Sequence, residues 1–422
     1  MNAPDQIQSR PQNAMADPSG KGGGLLTRLL AGRLHKLLDL IDSGLDSGSV
    51  EGELPDGSYR VLGGRSPGPR AHMNINSWRA LSRIAANGSI GLYEGWQKGE
   101  WDSPDPVQIF ALFVQNRVTL GDAVRPSPIV GAAGRLWHWL RRNTKAGSRR
   151  NIEFHYDLGN AFYATWLDET MTYSSALFGG AETESQSLAD AQRAKNDAML
   201  RRLQLSDGDR LLEIGCGWGG LAEQALLQNK LNYQGITLSH EQKAYADHRL
   251  SRFGDAAQVS ITDYRDVTGT FDAIASVEMV EAVGQQYWPS YLDCIANRLK
   301  QGGRAAIQYI RIEDDIFESY AKNMDFIQRY IFPGGMLLSE SRFRALAQQR
   351  GLDWQDQCDF GLDYAETLRR WRLAFEAAAA DGRLPAGFDA QFVKLWRFYL
   401  IYCEGGFRGG GINVAQVTLV KQ

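Results

Sequence analysis

The chain of 422 residues is short of most features that would place it in a special class. Cysteine is scarce: Cys216, Cys294, Cys358 and Cys403 lie far apart with no Cys-x-x-Cys pair. That excludes a disulfide framework and a zinc ribbon, so no metal is expected, and it points to reduced thiols in a cytoplasmic protein. No apolar run approaches the roughly 18 residues that a membrane span needs. The opening stretch MNAPDQIQSRPQNAMADPSGKGGG has no apolar core of a secretory signal. Excess charge is also missing. Lys and Arg number 46 against 49 Asp and Glu, a net charge of −3, which argues against a dedicated nucleic-acid binder. There is no internal repeat. What remains is ordinary globular composition, 43% hydrophobic and 23% charged, with length for two or three domains at about 150 residues each.

Residues 1–23 are rich in Pro, Gln, Ser and Gly and are expected to be disordered. The stretch LLTRLLAGRLHKLLDLIDSGL then puts Leu26, Leu29, Leu30, Leu34, Leu37, Leu38 and Ile41 on one helical face, with Arg28, Arg33, His35 and Lys36 opposite. It is either a surface helix of a small domain or a helix lying on a membrane surface. Residues 24–122 mix a strand-like SYRVL and a helical PVQIFALFVQNRV with Gly and Pro turns, which predicts a small N-terminal α+β domain. Residues 123–150 form a basic segment. No acid falls between Asp122 and Glu153, whereas Arg125, Arg135, Arg141, Arg142, Lys145, Arg149 and Arg150 do, interleaved with Trp137, Trp139 and Leu140. This is either a solvated linker or a strip that meets anionic headgroups, where each cation contributes about 1 kcal/mol. From 151 to 422 strands alternate with helices, which predicts an α/β, mostly parallel, doubly wound sheet with ligands at the strand C-termini.

RLLEIGCGWGG reads as a buried strand running into a glycine turn at a helix start, where backbone passes close to a ligand. A bare Gly-x-Gly also occurs in dinucleotide folds. Here Glu213 precedes the glycines, which suits an amino-acid or ribose moiety. The second strand ends in Thr237-Leu238-Ser239, without the acid a dinucleotide site would carry. Both features favour S-adenosylmethionine.

Longer motifs agree. HYDLGN, LDETMTYSSALF, EIGCGWGG, GITLSHEQ, DYRDV, SVEMVEAVG, YIFPGG and EGGFRGGGINVAQVTL, with GLYEGWQKGEWDSPDP upstream, resemble in order the cyclopropane-fatty-acyl-phospholipid synthase family over about residues 90 to 422. The resemblance implies a class I methyltransferase domain with a Rossmann-like fold, working at a phospholipid bilayer with unsaturated acyl chains as a peripheral protein, with homodimers frequent among relatives. It implies that Tyr173 and Ser174 close over S-adenosylmethionine, that Gly215 and Gly217 approach it with Glu213 beside them, that Thr237, Leu238 and Gln242 line the ribose side, and that Asp263 and Tyr264 sit at the adenine.

An isolated alkene is a poor nucleophile, so the sulfonium must drive methyl transfer. The resulting cation on the chain must be shielded from water and stabilised by carbonyls, carboxylates or aromatic faces. Loss of a proton to a base then gives a cyclopropane ring, and a hydride shift gives a methyl branch. In the family this base is generally a bound bicarbonate. The corresponding residues here are Glu281, Tyr364, Ser175 where many members have cysteine, and Gln308 where several bacterial members have histidine; Ala282 follows Glu281 where histidine is common. Plant-type members look similar at Gln308 and Ala282. These exchanges keep an anion site and put bicarbonate as its occupant in question. Each residue also has a structural reading: Glu281 as a helix-start acid, Tyr364 as a core tyrosine, His155 as part of a lid rather than a base, and Arg408 as an ion-pair partner. Phe326, Tyr330, Phe332 and Trp371 serve either the core or an acyl channel. The expected activity is methylene transfer to an unsaturated phospholipid acyl chain, forming a cyclopropane. Methylation without ring closure, methylation of a soluble metabolite, and a non-catalytic lipid-binding role are the alternatives.

Overall fold

The computed structural model describes residues 25–121, 158–180, 183 and 185–422. The basic segment with its tryptophans, and His155, lie outside them. The N-terminal part is α+β. Helix α1 (Leu25–Gly44) leads into a sheet of order β2-β1-β3, formed by β1 (Ser49–Glu53), β2 (Tyr59–Gly63) and β3 (Arg70–His72). Leu34, Leu38 and Ile41 of α1 are buried, and His35 pairs with Asp56 at 3.1 Å and packs edge-on against Trp78. This stretch of the apolar stripe therefore belongs to the domain core. A two-stranded ladder, β4 (Asn74–Ile75) with β5 (Trp101–Asp102), brackets α2 (Trp78–Gln97), which Ser77 caps and which breaks at Gly88 (φ 55, ψ −128). Helix α3 (Pro106–Gln115) starts where Asp105 accepts from the Val107 N–H and Pro106 supplies a preset φ.

The C-terminal part is the doubly wound sheet. In chain order its longer elements are α4 (Leu188–Leu203), β6 (Arg210–Ile214), α5 (Gly220–Gln228), β7 (Asn232–Thr237), α6 (His240–Leu250), β8 (Ala257–Ile261) and β9 (Phe271–Val277). They continue through α7 (Trp288–Arg298), β10 (Leu299–Ile312), α8 (Asp314–Lys322), β11 (Leu338–Ser339), α9 (Glu340–Gln348) and β12 (Leu352–Asp359), and end with α10 (Gly361–Ala380), α11 (Ala390–Arg408) and β13 (Ile412–Lys421). The strand order is β12-β13-β10-β9-β6-β7-β8, with short β11 beside β10. Every neighbouring pair is parallel except those made by β13, which is antiparallel to both β10 and β12. The order reverses between β6 and β9, and a ligand crevice is expected outside the strand ends at that switch point.

Apolar clusters cover both faces of the sheet, one around Ile274, Trp288 and Phe343 and the other around Leu211, Ala222 and Tyr233. A third cluster has no boundary between the two parts of the chain. Leu45, Trp101, Phe110 and Leu112 from the N-terminal part pack with Phe162, Trp371, Phe398 and Phe407 from the C-terminal part as one continuous core. The glycine-rich tail makes this possible. A Cβ on Gly405 of α11 would lie 2.3 Å from Cβ of Phe110 and 2.9 Å from the Val107 carbonyl oxygen, so α3 and α11 touch through their backbones there.

Candidate active site

β6 ends at Ile214, and the chain turns through Gly215 (φ 83) and Gly217 before α5. Gly215 needs its lack of a side chain twice over: its φ is left-handed, and a Cβ there would lie 2.8 Å from Cγ of Met279. At Gly217 a Cβ would meet nothing within 4 Å, because that backbone faces a cavity of about 650 Å³. The cavity opens at the switch point and runs toward the N-terminal part, where Asn87, Gly88 and Ser89 at the break in α2, and Phe110, Phe113 and Val114 of α3, form its wall. Ile310, Ile316, Phe332, Leu368, Phe407 and Ile412 make much of the rest apolar.

Nine of the ten residues expected at the cofactor line this cavity: Tyr173, Ser174, Glu213, Gly215, Gly217, Thr237, Leu238, Gln242 and Tyr264. The Thr237 hydroxyl donates to Gln242 Oε1 at 2.9 Å, which ties the end of β7 to the first turn of α6, itself capped by Ser239. Tyr173 shares a hydrogen bond of 2.6 Å with the Tyr399 hydroxyl. Glu213 is buried, accepts from the Tyr233 hydroxyl at 2.6 Å, and is pushed up to about 8 by desolvation. Asp263 is the exception. Its carboxylate caps a short turn and is held bidentately by Arg265, so it does not line the cavity and shapes the loop that carries Tyr264. Two features fit an adenosyl amino-acid cofactor: open space against the Gly217 backbone, and the buried Tyr264 hydroxyl, which has no partner among the described residues.

Three of the four residues expected to hold an anion, Ser175, Gln308 and Tyr364, converge, but on a residue that sequence reasoning passed over. Glu278 is the first residue beyond β9 and has a left-handed φ of 49°. Such a conformation costs a non-glycine residue about 1–2 kcal/mol and concentrates at functional sites. Its Oε1 accepts from the Ser175 N–H at 2.8 Å and from Gln308 Nε2 at 2.7 Å; its Oε2 accepts from the Tyr364 hydroxyl at 2.7 Å. Gln416 Nε2 donates to Gln308 Oε1 at 3.0 Å and fixes the amide so that Nε2 faces the carboxylate. Ser175 contributes its backbone N–H, while its hydroxyl donates to the Ala176 carbonyl. Glu278 and Tyr364 line the cavity, and Ser175 and Gln308 stand behind them as positioning groups. A carboxylate of the chain itself thus occupies the donor set expected for bicarbonate. An external anion does not fit there.

Glu281 stands beside this cluster with a different role. One of its oxygens accepts from the Ile310 N–H; the other, Oε2, is buried without a partner. Burial, and then the charge of Glu278, push Glu281 up to about 8. Burial also raises Glu278, but the hydrogen bonds from Tyr364, Ser175 and Gln308 all oppose that shift. Two neighbouring carboxyls with unequal donor sets divide their roles: the three donors favour charge on Glu278, while Glu281 is protonated near neutral pH. The motif carried a signal for this, since SVEMVEAVG holds two glutamates three residues apart and the first falls at the C-terminal edge of a strand.

Of the candidate channel aromatics, Phe332 lines the cavity, while Phe326, Tyr330 and Trp371 belong to the shared core. Arg408 pairs with Glu404 at 3.0 Å. Among the described residues no cluster could hold a metal ion, and no helix is long and apolar enough to cross a membrane.

Known proteins resemble this chain in sequence and fold. The family model described as mycolic acid cyclopropane synthetase matches residues 143–417. The chain is 37% identical over 358 residues to the tuberculostearic acid methyltransferase of Mycobacterium tuberculosis, covering 81% of each chain. It is 31% identical over 385 residues to the cyclopropane-fatty-acyl-phospholipid synthase of Escherichia coli, covering 88% of this chain and 93% of that one. The solved structure of a mycolic acid cyclopropane synthase in complex with SAH and CTAB superimposes with a TM-score of 0.60 at 29% identity, over 65% of this chain and 98% of that one. The glycine turn, the switch-point cavity and the paired glutamates are therefore those of an enzyme, and the chain belongs to the mycolic acid cyclopropane synthetase family of S-adenosylmethionine-dependent methyltransferases.

Proposed function

We propose that this enzyme transfers a methyl group to the double bond of an unsaturated acyl chain of a membrane phospholipid, and that Glu278 then removes a proton so that the chain closes to a cyclopropane. The observation that carries this is a carboxylate with three donors, set in the wall of an otherwise largely apolar cavity. S-adenosylmethionine, when bound, supplies the electrophilic methyl group. The remaining work falls to the chain's own residues. The apolar walls seat the acyl chain and exclude water, and the faces of Tyr364, Tyr399 and Phe407 stabilise the positive charge that the alkene acquires as its new carbon–carbon bond forms. Glu278 takes a proton from the new methyl carbon, and the released carbon–hydrogen electron pair closes the ring. Glu281, kept neutral, adds no second negative charge beside the base.

A second outcome, methylation without ring closure, is favoured by the 37% identity to an enzyme named for tuberculostearic acid. In both cases the lipid is reached from the cytoplasmic side of a bilayer, with the basic segment 123–150 as the contact. The test is incubation with labelled S-adenosylmethionine and liposomes of mono- and di-unsaturated phospholipid, followed by mass spectrometry and NMR of the acyl chains. A ring supports the first reading and a methyl-branched chain the second. No incorporation would overturn both in favour of a soluble acceptor.

A further inference from the structure

We propose that Lys195 is the counter-charge for the α-carboxylate of the bound cofactor, and that its neighbour Asn196 accepts from the cofactor's α-ammonium group. Lys195, on α4, is 1% exposed yet lines the cavity. Its ammonium has three donors and uses one, to Ser174 Oγ at 2.9 Å. Glu278, Glu213 and Asp168 are its acidic neighbours, but none of them makes an ion pair with it. An ammonium taken out of water with a single neutral hydrogen bond is poorly compensated, and desolvation accordingly pulls it down to about 8. A ligand that brings a negative charge to the two unused donors removes that deficit.

The next residue supplies an independent observation of opposite polarity. Asn196 is 3% exposed, lines the same cavity, and its Oδ1 is buried without a partner. Adjacent helical residues splay about 100° apart, so the pair brackets a ligand rather than meeting each other. A cation with free donors beside a bare carbonyl acceptor matches the two ends of a zwitterionic amino acid. Glu213, at the end of β6, lines the same cavity as the pair and the glycine turn. Gln192, one turn earlier on α4, donates to the Ser174 carbonyl at 2.8 Å and locks the segment that Lys195 touches. A counter-ion role toward Glu278 is disfavoured, because that carboxylate already takes three hydrogen bonds and Lys195 makes none of them.

The experiment is calorimetric titration of the full-length protein with S-adenosylhomocysteine and with its analogue lacking the carboxylate. Wild type is expected to prefer the intact ligand by about 10- to 100-fold, the worth of a charge-assisted hydrogen bond. In Lys195→Met that preference should shrink to about threefold or less, with affinity for the decarboxylated analogue little changed, while Lys195→Arg keeps part of it. Equal binding of the two ligands by wild type would overturn the proposal without any variant, and so would a Lys195→Met protein that keeps the full preference. Failure of wild type to bind S-adenosylhomocysteine at all would instead strike at the cofactor assignment.

Discussion

Removal of the Glu278 carboxylate separates a built-in base from a structural acid. In Glu278→Gln the side chain keeps its length and one acceptor oxygen, so the Ser175 N–H and Gln308 Nε2 still find a partner. The carboxylate's charge and basicity are lost, and the Tyr364 hydroxyl turns from donor to acceptor toward the new amide. A positioned base contributes about 10²- to 10⁴-fold, and turnover should fall by that factor with cofactor affinity unchanged. Glu278→Ala goes further. It strands three buried donors, each costing about 1–3 kcal/mol, and opens a pocket the size of a small carboxylate that those donors still surround. In buffer free of bicarbonate this variant is expected to be inactive, and formate or bicarbonate should restore turnover saturably. The Gln variant should not respond, because its amide fills the place. The assay is transfer of labelled methyl groups into phospholipid, with both anions titrated. A Glu278→Gln enzyme within about threefold of wild type would refute the assignment, as would equal stimulation of wild type and both variants by bicarbonate.

Tyr364→Phe removes a hydrogen bond that lowers the pKa of Glu278, so the acid limb of kcat/KM should move to higher pH, with recovery above it; a loss equal at every pH would contradict this. Glu281→Gln should stay within about tenfold of wild type at pH 7, since the native side chain is already neutral there, and should abolish a decline in activity above about pH 8. The same substitution has a stability signature. A buried carboxyl whose pKa is raised from 4.5 to about 8 favours folding at low pH and loses that contribution as pH rises from about 4.5 to about 8, so urea unfolding should show the variant gaining on wild type between about pH 5 and 8 and no further above that. Gly405→Ala forces α3 away from α11 and should cost about 1–3 kcal/mol, read as a lowered Tm.

The alternation of strands and helices made the doubly wound sheet legible, because apolar β-branched runs closed by glycine turns have few other solutions. The lining of the switch-point cavity by nine of the ten residues expected at the cofactor was legible for the same reason: motif residues at strand ends must face the crevice. Asp263 misled because an acid after a strand can serve either a ligand or its own turn, and only the placement of Arg265 two residues on decides. Glu278 was harder. Its role depends on a left-handed backbone, and on Ser175, Gln308 and Tyr364 arriving from three distant segments, none of which a linear motif displays. Lys195 was invisible because a lysine in a charged helix, ADAQRAKNDAMLRR, normally points to water.

The core that runs without a seam from α1 to α11 also bears on which part of the molecule selects its lipid. The matched mycolic acid cyclopropane synthase corresponds to only 65% of this chain, and the family model begins at residue 143, after α2 and α3. Phe110, Phe113 and Val114 thus line the cavity from outside the matched catalytic unit, while Glu278, Tyr364 and the glycine turn line it from within that unit. If the proposed acyl substrate occupies this cavity, a larger or smaller side chain on α3 would change how much hydrocarbon it admits and where along the chain the alkene meets Glu278. On that proposal, regioselectivity would be retuned from α3 with Glu278 and its donors left intact.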